Sequence, residues 1–269
     1  MLNLRKLTID FFIEELQKAY RRTYSDMEPG IANVIAWSGR LALENIANSD
    51  ALYHNMEHTI MVTLVGQAIL EGKHLCEGGV TPEDWMHVTI ALLCHDIGYV
   101  RGVCQQDTEF FVATGIGDEV HQLQPGGTDA ALTPFHVNRS KLFVRERFSN
   151  LLFDNIIIDT ERLANYIEMT RFPVPDIESY RNTSSFGGLV RASDFIGQLG
   201  DPGYLRKGAA LFYEFEEIGL NAKYGYARPG DLRESFTSFY WNEISPYIQD
   251  ALRYLRQTQD GQEWIARLY

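Results

Sequence analysis

The chain is short of cysteine, short of positive charge and without long apolar runs, and each shortage narrows what it can be. Its three cysteines, Cys76, Cys94 and Cys104, fall at irregular spacing with no C-x-x-C pair in 269 residues. Neither a disulfide framework nor a thiolate zinc site is indicated, and a reducing, cytoplasmic setting is expected. Lys and Arg number 24 against 36 Asp and Glu, a net charge of −12. Sequence-independent binding to a nucleic acid polymer needs phosphate-neutralising cations that this balance does not supply. No apolar stretch approaches the ~20 residues that span a membrane. Asp10, Glu14 and Glu15 interrupt the N-terminal segment, so no signal-peptide core is expected. There is also no internal repeat, no low-complexity tract and no convincing strand pattern, and the oligomeric state is left open.

What is present is helix. With 45% hydrophobic and 12% aromatic content the chain can bury a substantial core, and the expectation is one all-α domain of about nine to eleven helices over residues 1–269. Docking helices are expected over 1–48, a core over 49–220 and C-terminal helices over 221–269. Phe11, Phe12, Leu16 and Tyr20 mark a first helix over about 8–23 with Thr8 as its cap, and a second follows Pro29 to about 46. A third begins near Tyr53, carries His58, Met61, Val62, Val65 and Ile69 on one face, and is ended by Gly72 and the Gly78-Gly79 pair. Thr81-Pro82-Glu83-Asp84 is a strong helix start, with a capping hydroxyl, proline at the first position and acids in the first turn. The helix after it is apolar on nearly every face, is therefore central, and ends in His95-Asp96, with Gly98 placed as a left-handed cap. Glycine and proline punctuate 98–140, where periodicity disappears and a lid or substrate loop is expected. Helices resume over 142–152, 160–170 and 186–199, and another runs from Asp201-Pro202 to about 219.

Imidazoles and carboxylates within such apolar helices need partners, and a metal ion is one that satisfies all of them at once. His58, His95, Asp96 and Asp194 would supply two nitrogens and at least two oxygens, a set suited to one or two divalent ions of Mn, Fe, Zn, Co or Mg. Asp194 shares its helix face with Gly187, Val190 and Gly197, small neighbours that let other backbones approach. The alternative for Asp96 or Asp194 is a structural salt bridge to Arg101 or Arg191. His54 is placed one turn before His58, close enough to protonate a leaving group without binding the ion. His136, Arg139, Lys141 and Arg145 form the most basic stretch of the chain. Arg139 and Lys141 are candidate clamps for phosphate oxygens beside a helix N-terminus at Ser140, and a solvated helix face is the alternative.

The order His58, His95-Asp96, Asp194 in a helical chain resembles the H…HD…D signature of the HD-domain metal-dependent phosphohydrolases. Tyr53-His54-Asn55-x-x-His58 is similar to the Y-H-N-x-x-H motif of class I cyclic-nucleotide phosphodiesterases. Arg191-Ala192-Ser193-Asp194-Phe195, followed by Glu214-Phe215-Glu216-Glu217-Ile218-Gly219, is similar to two later motifs of that group, and Tyr166 to Thr170 resembles a helix whose terminal Thr holds a metal-bound water. The resemblance implies His54 as leaving-group acid, Asp96 as a bridging and catalytic carboxylate, and Thr170 and His136 beside the substrate. It departs at Tyr99, where those enzymes have a third His, and at Phe236, where they have a base-gripping Gln. The water-orienting Glu of those enzymes has candidates only in Glu119, His121 or a group near His136. The expected activity is therefore hydrolysis of a small-molecule phosphate ester, mono- or diester, by metal-activated water. A catalytically silent metal- or nucleotide-binding sensor or scaffold, and a di-iron oxygenase of the same fold, are the alternatives.

Overall fold

A computed structural model describes residues 3–149, 151–153 and 156–268; Met1 and Leu2, with which the N-terminal segment begins, lie outside it. The chain forms a predominantly helical single domain. Among the described residues ten helices have nine or more residues: α1 (Leu4–Tyr24), α2 (Pro29–Ile46), α3 (Met56–Glu77), α4 (Pro82–Cys94), α5 (His136–Phe148), α6 (Thr160–Glu168), α7 (Phe186–Leu199), α8 (Tyr204–Glu217), α12 (Ser245–Leu255) and α13 (Gln259–Leu268). Three shorter pieces, α9 (Leu220–Tyr224), α10 (Pro229–Glu234) and α11 (Phe236–Phe239), fill the stretch before α12. No helix is long and apolar enough to cross a membrane among the described residues.

The elements follow their capping chemistry. Thr81 and Asp84 close a reciprocal capping box at the start of α4. The Ser185 side chain accepts from the N–H of Gly188 and starts α7 at the expected residue. The first helix is longer than its apolar stripe suggests, because Asn3 rather than Thr8 caps it. α3 runs through Gly72 and ends only at Gly78, whose φ of 68° lies in the left-handed region. Two antiparallel hairpins correct the reading that strands are absent. β1 (Phe111–Ala113) pairs with β2 (Val120–Gln122), and β3 (Leu152–Phe153) with β4 (Ile156–Ile157). Strands of two or three residues are too short to show a period of two.

α4 is the central element, with Trp85 through Cys94 all buried. α1, α2, α5 and α6 share one hydrophobic cluster with it. α3, α7, α12 and α13 build a second. The α3–α7 crossing is close because Gly197 has no side chain: a Cβ there would lie 2.7 Å from Val62 Cα. This tight seam brings Asp194, one turn before Gly197, alongside the start of α3 and the end of α4.

Candidate metal centre

The run Tyr53-His54-Asn55 is a helix start as well as a motif. The Asn55 side chain accepts from the N–H groups of Glu57 and His58 at 2.9 and 3.3 Å, which fixes the first turn of α3 and turns His58 inward. His54 therefore precedes α3 and is not one turn earlier on it, a correction that follows from the extended backbone of the capping Asn55. Its ring still lies edge-on to His58, with centroids 5.7 Å apart.

His95 forms the C-terminal cap of α4, with Asp96 beside it. The negative end of a buried helix favours a cation at that point. His95 Nδ1 donates to the Leu92 carbonyl at 2.7 Å, which leaves the Nε2 lone pair facing the site. His58 Nε2 lies 3.3 Å from both Asp96 Oδ2 and Asp194 Oδ1. His95 Nε2 lies 3.2 Å from Asp96 Oδ2 and 3.6 Å from Asp194 Oδ1. One ligand atom each from His58, His95 and Asp194 falls within 4.8 Å of the others. Four expected ligands thus converge. His95 Nε2 and Asp96 Oδ2 are buried without a hydrogen-bond partner, a costly state for polar atoms unless a further group completes them. Nitrogen and oxygen donors at these separations fit a divalent ion.

Electrostatics agree with the geometry. Burial would raise the Asp96 and Asp194 carboxyls, but the imidazoles overcome it, holding Asp96 well below the carboxylate range and Asp194 at about 2. Burial would lower His95, and the charge of Asp96 with the hydrogen bonds of both carboxylates drives it well above its ordinary value instead. The donors demand positive charge, which protons or a metal can supply.

Glu214 of α8, almost wholly buried, completes the second half of the site. Its Oε2 is 2.5 Å from His54 Nδ1, and its Oε1 accepts from the N–H groups of Tyr53 and His54 at 2.6 and 3.3 Å. Burial alone would lower the His54 pKa, but the Glu214 charge and hydrogen bond push it up to about 9. Sequence pattern gave this carboxylate no role, because it lies 160 residues from its partner. The His54 ring stacks on Tyr99 at 4.4 Å, and Tyr99 stacks on His136 at 4.5 Å. His136 thus reaches the site, with Nε2 3.8 Å from Asp96 Oδ1.

The basic stretch corrects in part. Arg139 is fully buried and all five of its N–H groups are used, on the carbonyls of Gly98, Val100 and Ala113 and on both oxygens of Asp107. It is not a phosphate clamp but a brace for the turn after Asp96. Ser140 does related work from the second turn of α5, which starts at His136: its hydroxyl donates to the His95 carbonyl and accepts from the Gly98 N–H. Gly98 is no left-handed cap either. A Cβ there would sit 2.0 Å from the His136 carbonyl, so glycine is needed for close approach. The 98–140 segment is accordingly tied down. Arg101 pairs with Asp50 and Asp129, not with Asp96.

Lys141 is bound to Glu168 at 2.5 Å, which also holds Arg171, away from the metal ligands' hydrogen bonds. Thr170 is buried and its hydroxyl donates to the Ile167 carbonyl. Glu119 is exposed on the first hairpin and His121 packs on Phe135. Arg191 donates to the Tyr180 carbonyl and lies over the Tyr247 ring at 4.4 Å, so it bridges to no carboxylate of the site, and burial lowers its pKa to about 10. Phe236 packs on Tyr204.

The chain belongs to the Npun_R2479-like family, whose pattern matches residues 2–269. No curated protein and no solved structure matches it.

Proposed function

We propose that the chain is a divalent-metal-dependent phosphohydrolase of HD type that cleaves a small phosphate ester, a mono- or diester of a nucleotide or a related molecule. The observation that carries this reading is the meeting of two halves at one place. One is a buried donor set of His58, His95, Asp96 and Asp194 with unpartnered atoms. The other is an imidazole, His54, held protonated by a buried carboxylate.

His58, His95, Asp96 and Asp194 would hold the ion, which when bound supplies a Lewis acid and lowers the pKa of coordinated water. Glu214 fixes the His54 ring through Nδ1, so the proton available to a departing oxygen is the one on Nε2. The starting value of about 9 leaves room for the fall that a neighbouring dication imposes, toward the neutral range where general acids are most effective. Buried Tyr99 closes one face of His54 and restricts it to its own plane. The free thiols of all three cysteines belong with a cytoplasmic setting, which is part of the same proposal.

The test pairs metal content with turnover on p-nitrophenyl and alkyl phosphate esters and on cyclic, mono- and dinucleotides. Asp96→Ala and Asp194→Ala lose the metal. His54→Ala keeps it and loses roughly 10²- to 10⁴-fold in rate on an alkyl leaving group, with a smaller loss on p-nitrophenolate, which needs no proton. Metal loss in His54→Ala contradicts the acid assignment. A metal-replete protein inert on every ester points instead to a sensor or scaffold, and iron with a visible band on exposure to oxygen points to a di-iron oxygenase.

A further inference from the structure

The two oxygens of Asp96 face different partners. Oδ2 is turned to His58 and His95, at 3.3 and 3.2 Å, whereas Oδ1 is turned to His136, whose Nε2 is 3.8 Å away. His136 is the first residue of α5, and its Nδ1 lies 2.6 Å from the Thr133 carbonyl. A carbonyl only accepts, so Nδ1 carries the hydrogen and the neutral ring presents a lone pair at Nε2. Lone pair and carboxylate oxygen then point at each other across a gap too long for a hydrogen bond, an arrangement that repels unless something positive lies between.

The ring has little freedom to avoid this. It is stacked on buried Tyr99 with planes 19° apart. Beneath it the His136 carbonyl packs so closely on Gly98 that no Cβ fits there. Arg139 and Ser140, one turn on, are bonded to the backbone of the His95-to-Gly98 turn. The His136–Asp96 spacing is thus built by the same contacts that build the His-Asp turn itself.

We infer that His136 Nε2 and Asp96 Oδ1 are the protein ligands of a second divalent cation, with Asp96 bridging it to the ion held by His58, His95 and Asp194. The gap is slightly less than twice the ~2.1 Å of a metal–imidazole or metal–carboxylate bond, so one ion reaches both atoms. Water completes its coordination, as expected of a site with two protein ligands. The positive end of α5 opposes a cation, but only with a partial charge, and the full charge on Asp96 outweighs it. This inference rests on the metal-site reading of the proposed function and changes one role: His136 binds an ion, not the substrate.

Full-length protein stripped with chelator and titrated with Mn²⁺ tests it by calorimetry and electron paramagnetic resonance. Wild type is expected to take two Mn²⁺ per chain, with the broadened, coupled signal of a close pair. His136→Ala is expected to take one, with the six-line signal of an isolated ion, and His136→Gln at least tenfold weaker second-site binding. Circular dichroism and a thermal melt establish that each variant is folded, and His136→Gln, similar in size, serves if the alanine variant is not. Two coupled ions in either folded variant, with wild-type affinity, overturn the assignment. So does a wild type that binds a single ion, which leaves the proposed function standing; a wild type that binds none overturns both.

Discussion

The His54–Glu214 pair makes the sharpest electrostatic prediction. Glu214→Gln keeps the shape and an acceptor for the Tyr53 and His54 N–H groups but removes the charge 2.5 Å from Nδ1. In wild type that charge lifts His54 from 6.5 to about 9 against the burial that lowers it. With the charge gone, burial remains, so the variant's value falls below 6.5. The difference is on the order of 3 kcal/mol between the two protonation states. The linkage sign is that of a group raised on folding. The stabilisation is fully present below pH 6.5 and is lost as pH rises through about 9. The urea midpoint of wild type therefore exceeds that of Glu214→Gln by most at pH 6 and converges toward it by pH 10. Imidazole NMR of the metal-free proteins across this range reads the titration directly, without the charge of an ion. A His54 that titrates in the same place in both refutes the reasoning, since Glu214 is then not what holds the proton.

Three further outcomes follow from the contacts. Arg139→Met strips Asp107 and three carbonyls of their donors in a fully buried place and should cost about 3–5 kcal/mol in chemical denaturation, the penalty of an orphaned buried charge. Gly98→Ala sets a methyl 2.0 Å from the His136 carbonyl, so α5 or the His-Asp turn must shift; metal affinity should fall at least tenfold (about 1.4 kcal/mol) while the helical circular dichroism is kept. Glu168 is pulled from 4.5 to about 2 because Arg171, Lys141 and Tyr180 more than offset its burial. Its contribution, roughly 2 kcal/mol after allowing for partial exposure, is present above pH 4.5 and lost toward pH 2, so Glu168→Gln should flatten the acid limb of a stability–pH curve.

What could be read from the sequence was what local chemistry encodes. α4 and α7 start where a capping residue and a first-turn signal mark them. His58, His95, Asp96 and Asp194 stood out because a polar group in an apolar helix needs a reason, and the structure brings all four together. The start of α5 was not legible because Phe135 offers no capping side chain. Arg139 was misread for a physical reason. In an acidic chain a basic run resembles an exposed patch, and the Asp107 that neutralises it lies 32 residues away in a segment without periodicity. Glu214 shows the same limit, since pairing across 160 residues leaves no trace in spacing. Local signals set the elements and the ligands, and tertiary contacts decided which charges are structural and which are free.

The central claim is that His58, His95, Asp96 and Asp194 are a metal site. Metal analysis of purified protein, with Mn²⁺ or Zn²⁺ titrated into the chelator-stripped wild type and the folded Asp194→Ala variant, tests it most directly. The account predicts stoichiometric binding in wild type and at least 100-fold weaker binding, about 2.7 kcal/mol, in the variant. A wild type that binds no divalent ion, or an Asp194→Ala variant that binds it as tightly, contradicts the account.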